Sequence, residues 1–280
     1  MLGIETEREA SCPSVAPLIC MEEEIAPHQQ HAQLVWMRIS PKISVGLADG
    51  WKISLGVPMN MRWFDVSYLQ SDGVFFEPAY ATESGSDKWI QGVGDPVVVL
   101  SKIGRWSGWV GAIGSGVSFP MGNIEDTPYS RNQLGSLQQY AQMGTGAVQP
   151  VLTLKLIREE NAWRGFVSAR MTFSLYANAN GYQPPSVYMV DVGASRKIGS
   201  RLDGWIGLNF DRTSKDYWDG VAYPGREGLN AKFGLTTHLG LNWFLEAQAQ
   251  VLLKEGLLGA PTGEMMTERG SFTLGASWKN

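Results

Sequence analysis

The chain has 280 residues, a formal net charge of −4, 33 glycines and 11 tryptophans. The acidic balance argues against a basic nucleic-acid surface, and the lack of a run of about 18 apolar residues excludes a transmembrane helix. Neither excludes a transmembrane β-barrel, whose strands need only about 9–11 residues each.

The first residues, MLGIETEREASC, are acidic and lack an apolar stretch, so no signal peptide is read there. Leu2, Ile4 and Thr6 oppose Gly3, Glu5 and Glu7, which suits a short strand. The following residues show no sustained alternation, and prolines and acids interrupt them. Residues 1–31 are therefore expected to form a short strand plus a long acidic loop, and residues 32–280 a single barrel. Cys12 and Cys20 could close a disulfide in an oxidising compartment or remain free thiols. His28 and His31 lie near Glu22, Glu23 and Glu24. A weak divalent-cation site is conceivable there, but a solvated polar loop is the simpler reading, and no metal or cofactor is expected.

Long alternating segments follow. Val35, Met37, Ile39, Ile43, Val45 and Leu47 oppose Arg38, Ser40, Lys42, Ser44 and Gly46. In WKISLGVPMNMRW, the odd residues Trp51 to Met61 are apolar, and the even residues Lys52 to Arg62 are small, polar or charged. Strands are also read at 95–104, 108–119 and 142–156. Val167, Ala169, Met171 and Phe173 then oppose Ser168, Arg170 and Thr172. Two more strands are read at 186–197 and 205–211. Leu229, Ala231, Phe233 and Leu235 oppose Asn230, Lys232 and Gly234. Leu245, Ala247 and Ala249 oppose Glu246, Gln248 and Gln250. Phe272, Leu274 and Ala276 oppose Thr273, Gly275 and Ser277. Period-2 alternation over a dozen residues is a strand with two unlike faces. Pro41, Pro58 and Pro150 fall inside these segments and are expected at bulges or strand ends.

Short connections (near 48–50, 105–108, 157–162, 198–204 and 240–242) alternate with long ones (near 64–94, 120–141, 177–185, 212–228 and 254–269). In an up-and-down sheet this puts tight turns at one end and long loops at the other, the asymmetry of outer-membrane barrels. Seven of the 11 tryptophans fall at the short-turn end. By strand parity Trp51, Trp109, Trp163, Trp243 and Trp278 belong to the apolar face, as an aromatic girdle would require. A soluble β-sandwich would show the same alternation with its apolar faces turned inward. Strand length, loop asymmetry and tryptophan placement favour an all-β, antiparallel, up-and-down transmembrane barrel of about 12 strands in a bacterial outer membrane.

On that fold, parity places Arg38, Lys42, Lys52, Arg62, Lys155, Arg170, Asp191, Asn209, Asp211, Lys232, Glu246 and Gln248 in the lumen. Such charges either line a wet channel, with a mild preference for anions, or pair off and fill it. No Ser–His–acid constellation or phosphate-binding glycine motif is found, so no catalytic residue is assigned and no enzyme is expected. Tyr217, Trp218 and Tyr223, in the long loop KDYWDGVAYPG, could contact a partner or pack over the barrel mouth.

Three motifs recur in order: GVGD at 92–95, a Gly-rich strand ending FPMG at 119–122, and GTG at 144–146. With GLADGWKISLGVP and the closing segment, they resemble the outer-membrane barrel family named for the meta-pathway of phenol degradation. The resemblance implies a transporter-like barrel and carries no catalytic residues. The expected function is narrow passive transport of small solutes. The alternative is a structural barrel whose long loops dock an envelope protein.

Overall fold

A computed structural model of the chain describes residues 4–9, 28–70, 74–76, 88–122, 143–218, 220–239, 243–258 and 270–279. The strands in chain order are β1 Ile4–Glu9, β2 His28–Ile39, β3 Lys42–Gly46, β4 Trp51–Gly56, β5 Met59–Gln70, β6 Phe75–Phe76, β7 Lys88–Val93, β8 Val97–Trp106, β9 Trp109–Ser118 and β10 Gln149–Glu160. They continue with β11 Trp163–Thr172, β12 Tyr182–Gln183, β13 Val187–Lys197, β14 Leu202–Thr213, β15 Asp216–Trp218, β16 Val221–Tyr223, β17 Gly225–Leu239, β18 Trp243–Leu258 and β19 Gly270–Lys279.

Alternation decides these elements, and proline divides them. Pro41 separates β2 from β3, and Pro58 separates β4 from β5; each lacks the N–H a ladder needs. Their carbonyls stay in use: Pro41 accepts from the Val57 N–H at 3.1 Å, and Pro58 from the Gly94 N–H at 2.7 Å. The chain therefore runs on through each break, and β2–β3 pairs with β4–β5 as one long hairpin. Tight turns join strands at the short end. At Ser107–Gly108 both residues have positive φ, 42° and 81°. That backbone matches the twist of flanking strands, and glycine adopts it at no steric cost.

From β18 the sheet runs through β17, β14, β13, β11, β10, β9, β8 and β4 to β3, then to β19, which pairs again with β18. The sheet thus returns on itself as a barrel. Every neighbour pair is antiparallel except the seam, where β19 runs parallel to β2 and β3, with Leu274 opposite Ile39 and Trp278 opposite Ile43. Higher on the same edge, β1 pairs antiparallel with β2, from Ile4–Leu34 to Glu9–Gln29. β1 and the last strand thus share one edge of β2. The expected boundary at residue 32 moves upstream: β2 begins at His28, because Gln29, Gln30 and His31 continue its pairing with β5. His28 and His31 thus stand in a strand rather than a loop. Cys12, Cys20 and the Glu22–Glu24 run lie outside the described residues.

Burial is inverted relative to a water-soluble protein. Ile43, Ile53, Leu55, Leu100, Ile113 and Ile206 are 40–67% exposed, whereas Ser54, Asn60, Ser101, Asn209 and Asn230 are 1–7% exposed. Among the described residues the buried apolar set is only Met143, Ala147 and Val151. A sandwich would bury its aliphatic faces at about 25 cal/mol per Å². This chain turns them outward along strands of 10–16 residues, long enough to cross a hydrocarbon layer. The outer face thus suits lipid and the inner face suits water. In WKISLGVPMNMRW, Ile53, Leu55 and Met59 are exposed while Ser54, Pro58 and Asn60 are buried.

Candidate functional site: the barrel interior

Inward-facing residues fall into three groups. The first is a hydrogen-bonded network on β13, β14 and β17. Asp191 accepts from the Lys232 ammonium at 2.8 Å, the Asn209 amide at 3.1 Å and the Ser168 hydroxyl at 3.4 Å. Asn230 donates to Asp211 at 2.8 Å and to Asn209 at 3.3 Å. Register explains the cluster: Ser168, Asp191 and Asn209 are direct cross-strand neighbours, as are Asn209 and Asn230. Buried polar groups cost free energy unless paired, and these are paired with one another.

The second group is basic. Lys52, Lys155 and Arg170 lie near enough to repel Lys42, and Arg170 near enough to repel Arg38. Among the described residues no carboxylate comes within 4 Å of Lys42, Lys155 or Arg170. Arg38 donates to the Ser40 hydroxyl at 3.2 Å. The Arg62 side chain lies outside the described set.

The third group surrounds a cavity of about 410 Å³ toward the short-turn end. Lys155, Asp191, Lys232, Glu246 and Gln248 line it, together with residues that the parity assignment leaves out: Arg164, Phe166, Asp203, Trp205, His238 and Phe244. Arg164 reaches Glu159 at 3.1 Å and Asp203 at 3.4 Å, and His238 lies 3.5 Å from Asp203. These residues continue the alternation toward the turns: Arg164 keeps step with Ser168 and Arg170, Asp203 with Asn209 and Asp211, and His238 with Lys232. Extending the same parity to the strand ends would have found them.

On the outer face near the short turns, Trp51 and Trp163 are 41% and 52% exposed. Trp51, Trp109 and Trp163 each meet a cation from the neighbouring strand: Lys102 over Trp51 at 5.2 Å, Arg158 over Trp109 at 5.5 Å and Arg196 over Trp163 at 5.2 Å. Lys102 also donates to the Asp49 carbonyl. Trp106, 51% exposed and opposite Trp109, joins this face; Lys102 on its strand masks the apolar parity. Trp243 and Trp278 stand opposite each other in register, with side chains outside the described set. Trp205 faces the cavity instead, its ring lying over Gly234.

The three glycine motifs meet in one place. The Asp95 carboxylate, 9% exposed, accepts from the Gly122 N–H at 2.9 Å, the Thr145 N–H at 2.7 Å and the Thr145 hydroxyl at 2.6 Å. A Cβ on Gly144 would sit 2.7 Å from both Asp95 Oδ1 and the Gly122 carbonyl, so only glycine fits there. The clamp joins the two ends of the segment that links β9 to β10. Among the described residues no group of three or more His, Cys, Asp or Glu side chains could hold a metal ion.

No family model matches the chain, and no curated protein matches it. Solved structures do. The COG4313 outer membrane channel from Pseudomonas putida F1 aligns over 98% of this chain and 90% of that one, with a TM-score of 0.58 at 12% identity. The chain has the fold of an outer-membrane β-barrel. The NanC porin (TM-score 0.46, 12% identity, 100% of both chains) and OmpT of Vibrio cholerae (0.40, 9%, 88% and 96%) are more distant.

Proposed function

We propose that this chain is a bacterial outer-membrane barrel that acts as a narrow passive channel for small solutes and favours anions. The observation that carries the reading is the basic group. Among the described residues Lys42, Lys155 and Arg170 project inward without carboxylate partners, so their field is available to whatever passes. Rings of cations at a constriction raise the local concentration of anions.

Planar-bilayer recording tests the proposal. Discrete conductance steps are expected, with a reversal potential in a KCl gradient that favours chloride. Folded protein that gives neither steps nor solute uptake in vesicles would favour the second reading, a structural barrel that docks an envelope protein. One observation supports that alternative: β12, β15 and β16 form a separate small sheet at the long-loop end, with Tyr182 opposite Trp218.

A further inference from the structure

We infer that the short-turn half of the lumen binds a small zwitterion bearing an aromatic or similarly flat apolar face. The inference rests on the channel reading and names a solute class for it.

Charge accounting around the cavity leads there. Arg164 is taken up by Glu159 and Asp203, Lys232 by Asp191, and His238 lies against Asp203. Two charged groups lining the cavity have no ion-pair partner among the described residues: Lys155 and Glu246. They have opposite sign. Lys155 stands on β10 and Glu246 on β18, and both line the same cavity of about 410 Å³. An anion attracted by Lys155 is repelled by Glu246, and a cation meets the reverse. A solute carrying both charges can satisfy both groups within the one cavity, through charge-assisted hydrogen bonds.

Aromatic side chains from β11, β14 and β18 supply the apolar half. Phe166 and Trp205 line the cavity with ring centroids 6.3 Å apart at an interplanar angle of 79°, and Phe244 lines it beside His238 at 4.6 Å. Aromatic faces lining one cavity offer stacking and edge contacts to a flat ring. A few polar groups converging on an apolar wall is the general form of a small-molecule site.

The test is calorimetric titration of the refolded full chain in detergent with L-phenylalanine. N-acetylphenylalanine serves as the anion, phenylalanine amide as the cation and glycine as the ringless zwitterion. Phenylalanine should bind most tightly of the four. Lys155→Gln and Glu246→Gln should each weaken it about tenfold. The charge swap Lys155→Glu with Glu246→Lys should restore affinity to within about threefold, since a zwitterion can turn around. Heat-modifiable migration checks that each variant is folded. Equal affinity for all four probes, or single variants that bind like the wild type, would overturn the site. Conductance in KCl is recorded on the same preparations. Conductance without phenylalanine binding removes this site and leaves the channel reading standing. Binding without conductance upholds the site and removes the channel.

Discussion

On the wall formed by β13, β14 and β17, Asp191 and Asp211 accept hydrogen bonds from Ser168, Asn209, Asn230 and Lys232. Lys42 on β3 and Lys155 and Arg170 on β10 and β11 form a different set: the latter two repel Lys42, and none of the three meets a carboxylate within 4 Å among the described residues. The same contrast holds at Asp95, whose two oxygens take three donors. Inside this barrel several carboxylates are consumed by the fold, while several cations are left to the water. An unpaired charge in a wet lumen keeps much of its hydration, so it costs less than an unpaired charge in a dry core. The lumen can therefore hold functional cations that a solvent-excluded interior would reject. Substitutions of the paired carboxylates should consequently be read out as stability, and those of the unpaired cations as selectivity.

The largest expected effect is at Asp95. Asp95→Ala removes the acceptor of three donors and leaves two backbone N–H groups at a buried position. Hydrogen bonds to a charged group contribute roughly 1.5–3 kcal/mol each, with losses in a shared network less than additive. A destabilisation of about 3 kcal/mol is expected in reversible urea unfolding from lipid vesicles. Asp95→Asn, which keeps one acceptor, should fall between the two. An Asp95→Ala protein as stable as the wild type would show that the motif clamp does not hold the fold, and the contrast would lose its strongest member.

Much of this was legible in the sequence, for reasons that differ between regions. Period-2 alternation is a local signal, so the strands, their inner and outer faces and the tight turns can be read residue by residue. Lys42, Asp191 and Lys232 fall on one face by that means alone. Pairing was not legible. That Lys232 reaches Asp191 while Lys155 reaches no described acid depends on register between strands that are distant in sequence, and register is set by turns and bulges, such as the shift between Leu229 and Asn230. The cavity aromatics escape the sequence because Phe166, Trp205 and Phe244 are apolar residues on the polar face, which the alternation rule discards. Asp95 stands within a visible motif, but its partners lie 27 and 50 positions away along the chain.

The second effect is on selectivity. Replacing Lys42, Lys155 and Arg170 together by glutamine should leave the unfolding free energy within about 0.5 kcal/mol of the wild type, or raise it slightly, because like charges that repel one another are removed. The permeability ratio of chloride to potassium should fall about fivefold, equivalent to about 1 kcal/mol. Reversal potentials in a KCl gradient measure the ratio. If stability collapses while selectivity is unchanged, these cations are structural and the division between paired carboxylates and unpaired cations fails.

The smallest effect lies outside the barrel and tests whether the division is one of sign or of place. Arg158 is a cation too, but it stands on the outer face, 5.5 Å over the Trp109 ring, and 3.7 Å from Glu160. Both members of that ion pair are more than half exposed, so the pair itself contributes little. The indole contact contributes more, roughly 0.5–1 kcal/mol. Arg158→Gln should therefore lower stability by about 0.5 kcal/mol and leave the chloride-to-potassium ratio unchanged. A double-mutant cycle with Trp109→Leu should return a coupling of similar size, because the two side chains are direct cross-strand neighbours. Zero coupling would mean that the cation and ring are adjacent without acting on each other. A changed permeability ratio would be more damaging. It would show that an outer-face charge influences the conducting path as the inner ones do, and the distinction between charges facing water and charges facing lipid would no longer account for which cations govern selectivity.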